Sequence, residues 1–125
     1  MEQRDIKIQQ IQKRKLEAKR IREEYWLNLK PFTNIDDIPE LPAVDPNEWK
    51  NFYIPILIKC GAIPKKQLIK GETYLGTCRN AGKAIWTGKE FVYQRTKFGC
   101  TYDETINHFE DDNGYDLFVP LYKIQ

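Results

Sequence analysis

The spacing of apolar and polar positions divides the chain into unlike parts. From Gly71 onward apolar residues recur at every second position, in short runs separated by turn-forming residues. This is the period of half-buried β-strands. Residues 73–79 set Tyr74, Gly76 and Cys78 to one side and Leu75 and Thr77 to the other, and Ala81-Gly82 then turns. Lys83–Trp86 and Phe91–Lys97 read as a hairpin closed around Thr87-Gly88-Lys89. Residues 104–108 predict a further short strand, 110–114 a turn, and 115–122 a last strand with Leu117, Val119 and Leu121 toward the core. Pro120 cannot donate to a sheet ladder, which places that strand at an edge or near its end.

Upstream the period lengthens. Trp49, Phe52, Tyr53, Ile56, Leu57 and Cys60 recur at helical spacing, with Asp45 as N-cap, Pro46 in the first turn and Gly61 as C-cap. Pro55 falls inside this pattern. A mid-helix proline costs about 3 kcal/mol, so the helix is kinked there or starts afresh. Pro31, Pro39, Pro42 and Pro46 exclude regular structure from residues 30–46. That segment reads as an extended strap tethered by Ile35, Ile38, Leu41 and Val44, with a floppy spacer as the alternative. Residues 1–29 hold neither Gly nor Pro and predict one helix. Ile11, Ala18, Tyr25 and Ile21 give it a narrow apolar stripe that Arg14 and Asn28 interrupt, less than a coiled coil requires. Such a helix is expected to project, fray or pair with a second copy of the chain. The fold class is therefore α+β: a small antiparallel sheet of four or five strands, with a half-open barrel as its variant, packed by one helix. Residues 1–29 form a basic amphipathic helix in front of it, 30–46 a proline-rich strap, and 47–125 the α+β domain.

Composition refines this picture. A length of 125 residues sets one domain, and 41% hydrophobic residues provide for a real core despite 30% charged residues and a mean hydropathy of −0.66. The net charge of +2 is low for a dedicated duplex-DNA binder, but it is unevenly spread. Lys13, Arg14, Lys15, Lys19, Arg20 and Arg22 stand against Glu17 alone in residues 13–22. This is a basic arm for nucleic-acid phosphate or an acidic partner; a solvated helix face is the plainer explanation. Cys60, Cys78 and Cys100 form no C-x-x-C pair and share the chain with one histidine. A disulfide framework and a closed zinc site are both poor readings, and reduced thiols are expected. The N-terminus lacks an apolar leader, and the apolar run 53–58 is far short of the roughly 20 residues a span needs. A soluble, cytoplasmic protein without membrane contact is expected.

The residues with chemical potential cluster around Cys78-Arg79-Asn80, at a strand end before a turn. Arg79 offers a planar fork of donors and Asn80 both donor and acceptor, a pair suited to phosphate or a nucleobase edge. With Arg95 and His108 they form a candidate ligand-binding set; a structural corner is the plain alternative. Cys78 as a nucleophile would need a base such as His108 beside it. His108 with Glu110, Asp111 or Asp116 would suit a Mg2+- or Mn2+-dependent hydrolase or nuclease, although carboxylates in an Asn/Gly turn are also what any solvated loop contains. Trp86, Phe91, Tyr93, Phe98 and Tyr102, interleaved with Arg95 and Lys97, would stack bases if their sheet face is open. No catalytic residue, metal ligand or cofactor is assigned from these patterns.

Leu68-Ile69-Lys70-Gly71, Tyr74, Gly76, Cys78-Arg79-Asn80, Ala84, Trp86, Phe91, Arg95, Lys97-Phe98-Gly99, Ile106, His108, Asp111-Asp112, Asp116 and Phe118-Val119 together resemble a family of small uncharacterised proteins encoded by bacteria and bacteriophages. The resemblance covers about residues 56–121 and leaves the first 46 outside it. It implies a phage or mobile-element setting and a host-cell cytoplasmic location, and it brings no activity. The expected function is a non-enzymatic accessory protein binding a nucleotide, a nucleic acid or a host protein. A protein-binding adaptor working through residues 1–29 and a metal-dependent hydrolase are the alternatives.

Overall fold

The computed structural model describes residues 2–112 and 116–124. The expected turn at Asn113-Gly114 and strand start at Tyr115 lie outside them. The chain divides into two compact units, Met1–Lys30 and Pro31–Gln125. The first is helix α1, Glu2–Leu27. Its apolar residues do not form one stripe. Ile8, Ile11, Ile21 and Tyr25 lie on one side, Ile6, Leu16 and Leu27 on the other, and all seven are exposed. The expected amphipathic helix is thus not amphipathic in its hydrophobicity.

In the second unit the strap is fixed to the domain rather than loose. Phe32 N–H donates to the Cys60 carbonyl at 2.7 Å, and Ile35, Ile38, Leu41 and Val44 are each half-buried. It also contains a short 3-10 turn, Ile35–Asp37, which the prolines had argued against. Asn34 caps it by accepting from Asp36 N–H, while the Asp37 carboxylate accepts from the Thr33 hydroxyl and from the amides of Thr33 and Asn34. The Thr33 hydroxyl is the main reason the Asp37 carboxyl sits below its usual range.

Helix α2, Pro46–Glu48, follows on its Asp45 cap and runs through a π-type turn, Trp49–Tyr53, into helix α3, Ile54–Lys59. The wide turn resolves the Pro55 problem. A proline ring collides with the carbonyl four residues back; here Ile54 N–H reaches back five residues to Trp49 O, and Pro55 enters the first turn of α3. Trp49, Tyr53, Ile54, Ile56, Leu57 and Cys60 are buried.

Five strands follow: β1 Thr73–Thr77, β2 Lys83–Trp86, β3 Phe91–Lys97, β4 Cys100–His108 and β5 Leu117–Lys123. They run in sequence order around a closed barrel, β5 pairing back onto β1. Two expectations change. The barrel closes completely, and one of its pairings is parallel: β4 meets β5 at Asn107↔Leu117 and His108↔Phe118, while the other ladders are antiparallel. Nor is Pro120 at an edge. It lies opposite Gly76, where the β1–β5 register shifts at a bulge between Leu75 and Gly76. A missing N–H is tolerated at such a bulge.

The barrel interior is aromatic. Phe91 is fully buried and contacts Trp86 at 4.9 Å and Phe118 at 4.6 Å between ring centroids, with Tyr74 edge-on at 6.3 Å. Phe118, not its neighbours, enters this cluster. Leu117, Val119 and Leu121 are also buried but alternate with it on the opposite face, where Leu121 lies beside Gly61. β5 is covered on both sides, and the expected single core face is a double one. Among the described helices none is long and apolar enough to cross a membrane.

Candidate ligand groove at the barrel rim

Three of the five candidate binding residues come together and two do not. Arg79 and Asn80 in the β1–β2 turn and Arg95 on β3 line one open groove of about 650 Å3, with Tyr93, Glu104 and Asp116. Tyr93 and Glu104 are direct cross-strand partners; the Tyr93 hydroxyl donates to Glu104 Oε2. Arg95 sits two residues further along the same face of β3 and reaches both carboxylate oxygens of Glu104 at 3.4 Å. Asn80 Nδ2 donates to the Tyr93 hydroxyl oxygen at 3.5 Å, joining the turn to the sheet. The Tyr93 hydroxyl holds the Glu104 carboxyl below its usual range, aided by Arg95. Tyr93 is shifted the other way, first by burial and then by Glu104. The groove therefore has a pre-positioned carboxylate beside two guanidinium groups.

Cys78 serves the turn itself. Its Sγ accepts from Ala81 N–H at 3.2 Å and lies 3.3 Å from Ala81 O. Burial pushes its thiol up, the wrong direction for a nucleophile. It faces a second hollow of about 430 Å3 with Ile38 and Leu41 of the strap.

His108 lies in the core with no exposure. Its Nε2 bonds the Ile63 carbonyl at 2.9 Å and its Nδ1 accepts from Glu110 N–H at 3.2 Å. Both ring nitrogens are in use, so it is neither a groove residue nor a base for Cys78. Its neighbours hold the same loop: Glu110 Oε2 accepts from Lys65 N–H at 2.6 Å, Asp111 pairs with Lys65 Nζ at 2.9 Å, and Trp49 Nε1–H donates to Phe109 O at 2.8 Å. Of the metal alternative, His108, Glu110 and Asp111 thus fasten the β4–β5 connection to residues 63–65, while Asp116 lines the groove. Among the described residues no group of three or more His, Cys, Asp or Glu is placed to hold a metal. The three cysteines form no disulfide.

Trp86 and Phe91 are core residues and do not stack bases, whereas Phe98 and Tyr102 are exposed. Glu104 is not among the residues that side-chain chemistry singled out. Its signal was present: it lies two residues from Ile106 and four from His108 on one strand, hence on the inward face, where a carboxylate needs a partner.

The basic residues of α1 sort by face. Arg4, Lys7, Ile8, Ile11, Arg14, Lys15, Ala18, Ile21, Arg22 and Tyr25 recur at three- and four-residue steps and include no acid. Lys13 and Arg20 lie elsewhere on the helix, and Lys19 and Arg20 pair with Glu23 and Glu24 four residues on. The helix is two-sided in charge. Comparison with protein-family models, with curated proteins and with solved structures returned no match.

Proposed function

We propose that this chain is a non-enzymatic binding module whose rim groove takes a phosphate-bearing nucleotide. The observation that carries this reading is the convergence of Arg79, Asn80 and Arg95, from two separate segments, on one open groove. Guanidinium forks suit phosphate oxygens. Glu90, Glu104 and Asp116 on the same walls disfavour a bare anion, but they offer acceptors to the N–H groups of a base. The combination fits a ligand with an anionic end and a donor-bearing end. Taken with the family resemblance, this reading makes the chain a phage or mobile-element accessory protein acting in the host cytoplasm.

The test is calorimetric titration with a panel of mononucleotides and with inorganic phosphate. Arg79→Ala is expected to weaken nucleotide binding about ten- to a hundredfold, the worth of a hydrogen bond to a charged group. If the wild type takes no nucleotide, or the variant binds equally well, the groove assignment is wrong.

A second reading rests on the acid-free face of α1. Arg4, Lys7 and Arg14 on its seam set like charges together in a parallel pairing with a second copy, so an acidic protein partner fits this face better than a homodimer. On this reading the wild type sediments as a monomer, and the double variant Arg14→Glu, Lys15→Glu retains groove binding while losing retention on an acidic helical peptide. A wild-type dimer in sedimentation, or retention unaffected by the charge reversal, would dismiss it.

A further inference from the structure

The β3–β4 hairpin continues beyond the barrel. β2 pairs with β3 only at Val92 and Phe91, and β5 with β4 only at Asn107 and His108, yet β3 and β4 stay paired out to Lys97↔Cys100. Residues 94–97 and 100–103 therefore form a two-stranded ribbon without lateral partners among the described residues. At its tip Phe98 has φ +54° and Gly99 φ +77°. Two successive left-handed residues mark the tight turn for which Asn-Gly is the favoured pair. Phe98 is the one non-glycine residue with positive φ among those described, and a bulky side chain there is strained. It is also 94% exposed. Neither the barrel nor the turn gains from phenylalanine at this position. Strain held without a structural return points to a role outside the fold.

The surroundings say what it meets. Lys97 Nζ lies 5.6 Å from the Phe98 ring centre. Arg95, Lys97 and Tyr102 share one face of the ribbon by period and register, and that face continues into the groove through Tyr93 and Glu104. Arg95 and Lys97 stand about 7 Å apart along the strand, a spacing that successive phosphates of an extended strand can follow. No carboxylate lies in residues 95–102. An aromatic tip with cations spaced behind it is the arrangement that binds unpaired bases and their backbone. Arg95 already pairs with Glu104 at the inner end of the ribbon; an apolar protein pocket would accept the ring but would make no use of the Lys97 charge beside it.

We infer that the ribbon extends the groove into a track for single-stranded nucleic acid, with Phe98 stacking on an unpaired base and Arg95 and Lys97 following the phosphates. This rests on the nucleotide reading of the groove and names its ligand as a strand. Base faces and phosphates are common to DNA and RNA, and both strands bind alike on this account.

The test uses fluorescence anisotropy with labelled single-stranded thymidine and uridine oligomers, beside mononucleotide titration of the same proteins. Phe98→Asn relieves the turn and is expected to melt no lower than wild type, while weakening oligomer binding about tenfold or more. Mononucleotide binding stays unchanged in that variant, and Phe98→Trp keeps oligomer affinity. Oligomer binding unaffected by Phe98→Asn, or none in the wild type despite mononucleotide binding, overturns the track and leaves the groove standing. Absence of mononucleotide binding in the wild type fails the groove reading and, with it, the track that rests on it.

Discussion

Gly76→Ala is expected to unfold the barrel, at a cost of about 4 kcal/mol or more, beyond the range of ordinary substitutions. The requirement at this position is space. A Cβ there would be driven into the Val119 carbonyl and would lie 2.8 Å from Pro120 Cα. Both are backbone atoms of β5 and cannot swing aside as the end of a side chain would. Relief requires β5 to move off β1 at the bulge, which opens the barrel at its closing seam. Gly82→Ala is the control, since its Cβ would meet Ile35 Cδ1 at 3.6 Å and the Gly76 carbonyl oxygen at 4.0 Å, both ordinary contacts. Urea unfolding compares the two. A Gly76→Ala midpoint close to that of Gly82→Ala would mean that the β1–β5 approach is looser than described.

Replacing His108 with alanine should cost about 3–5 kcal/mol. The substitution empties an aromatic-sized core site and orphans the Ile63 carbonyl and the Glu110 amide. The ring also lies 6.1 Å from Phe91, 6.2 Å from Trp86 and 4.3 Å from Phe109 between centroids. A pH effect accompanies it. Burial holds the imidazole below its ordinary 6.5, outweighing the upward pull of its bond to Ile63 and of the Glu110 and Asp111 carboxylates; Lys65 adds to the depression. The folded chain therefore keeps His108 neutral where the unfolded chain has begun to take up a proton. The stability this represents is complete above 6.5 and is lost as pH falls through the lower folded value. At most one proton is involved, so the slope is no more than about 1.4 kcal/mol per pH unit. Glu104 and Asp37, also depressed, start from 4.5 and 3.8, and their losses come at lower pH. Thermal melts across this range should show a step just below pH 6.5 in the wild type that His108→Gln lacks. A step of equal size in both would assign it elsewhere.

What was legible in the sequence follows from which signals are local. β2 and β3 were read residue for residue because their apolar alternation and the Gly88 turn are carried by neighbouring positions. β4 was read short because residues 100–103 are exposed on both faces of the ribbon, and a strand without a buried side has no period to detect. Closure depends on β1 meeting β5 across the length of the domain, and nothing near Thr73 or Leu117 announces it. Pro120 pointed to an edge or a strand end for the same reason: its missing donor falls opposite a bulge that exists only once the two strands meet. In the groove, Arg79, Asn80 and Arg95 were selected by side-chain chemistry and were brought together. His108 was selected the same way and went to the core, although its shared face with Ile106 had already placed it inward. Phe98 was read as one of several aromatics, because exposure and left-handed backbone belong to the folded hairpin.

The parallel pairing of β4 with β5 gives the domain an order of assembly. The β1–β2–β3–β4 meander needs only neighbouring hairpins, so it is available early and on fast local terms. β5 then has two tasks at once, to lie parallel to β4 and antiparallel to β1, and its β1 partners lie most of the domain away in sequence. Until β5 exists, β1 offers an open edge and the aromatic interior is uncovered, the state in which a nascent chain is most exposed to wrong partners. Lys65, already synthesised by then, is where the β4–β5 connection is held through Glu110 and Asp111.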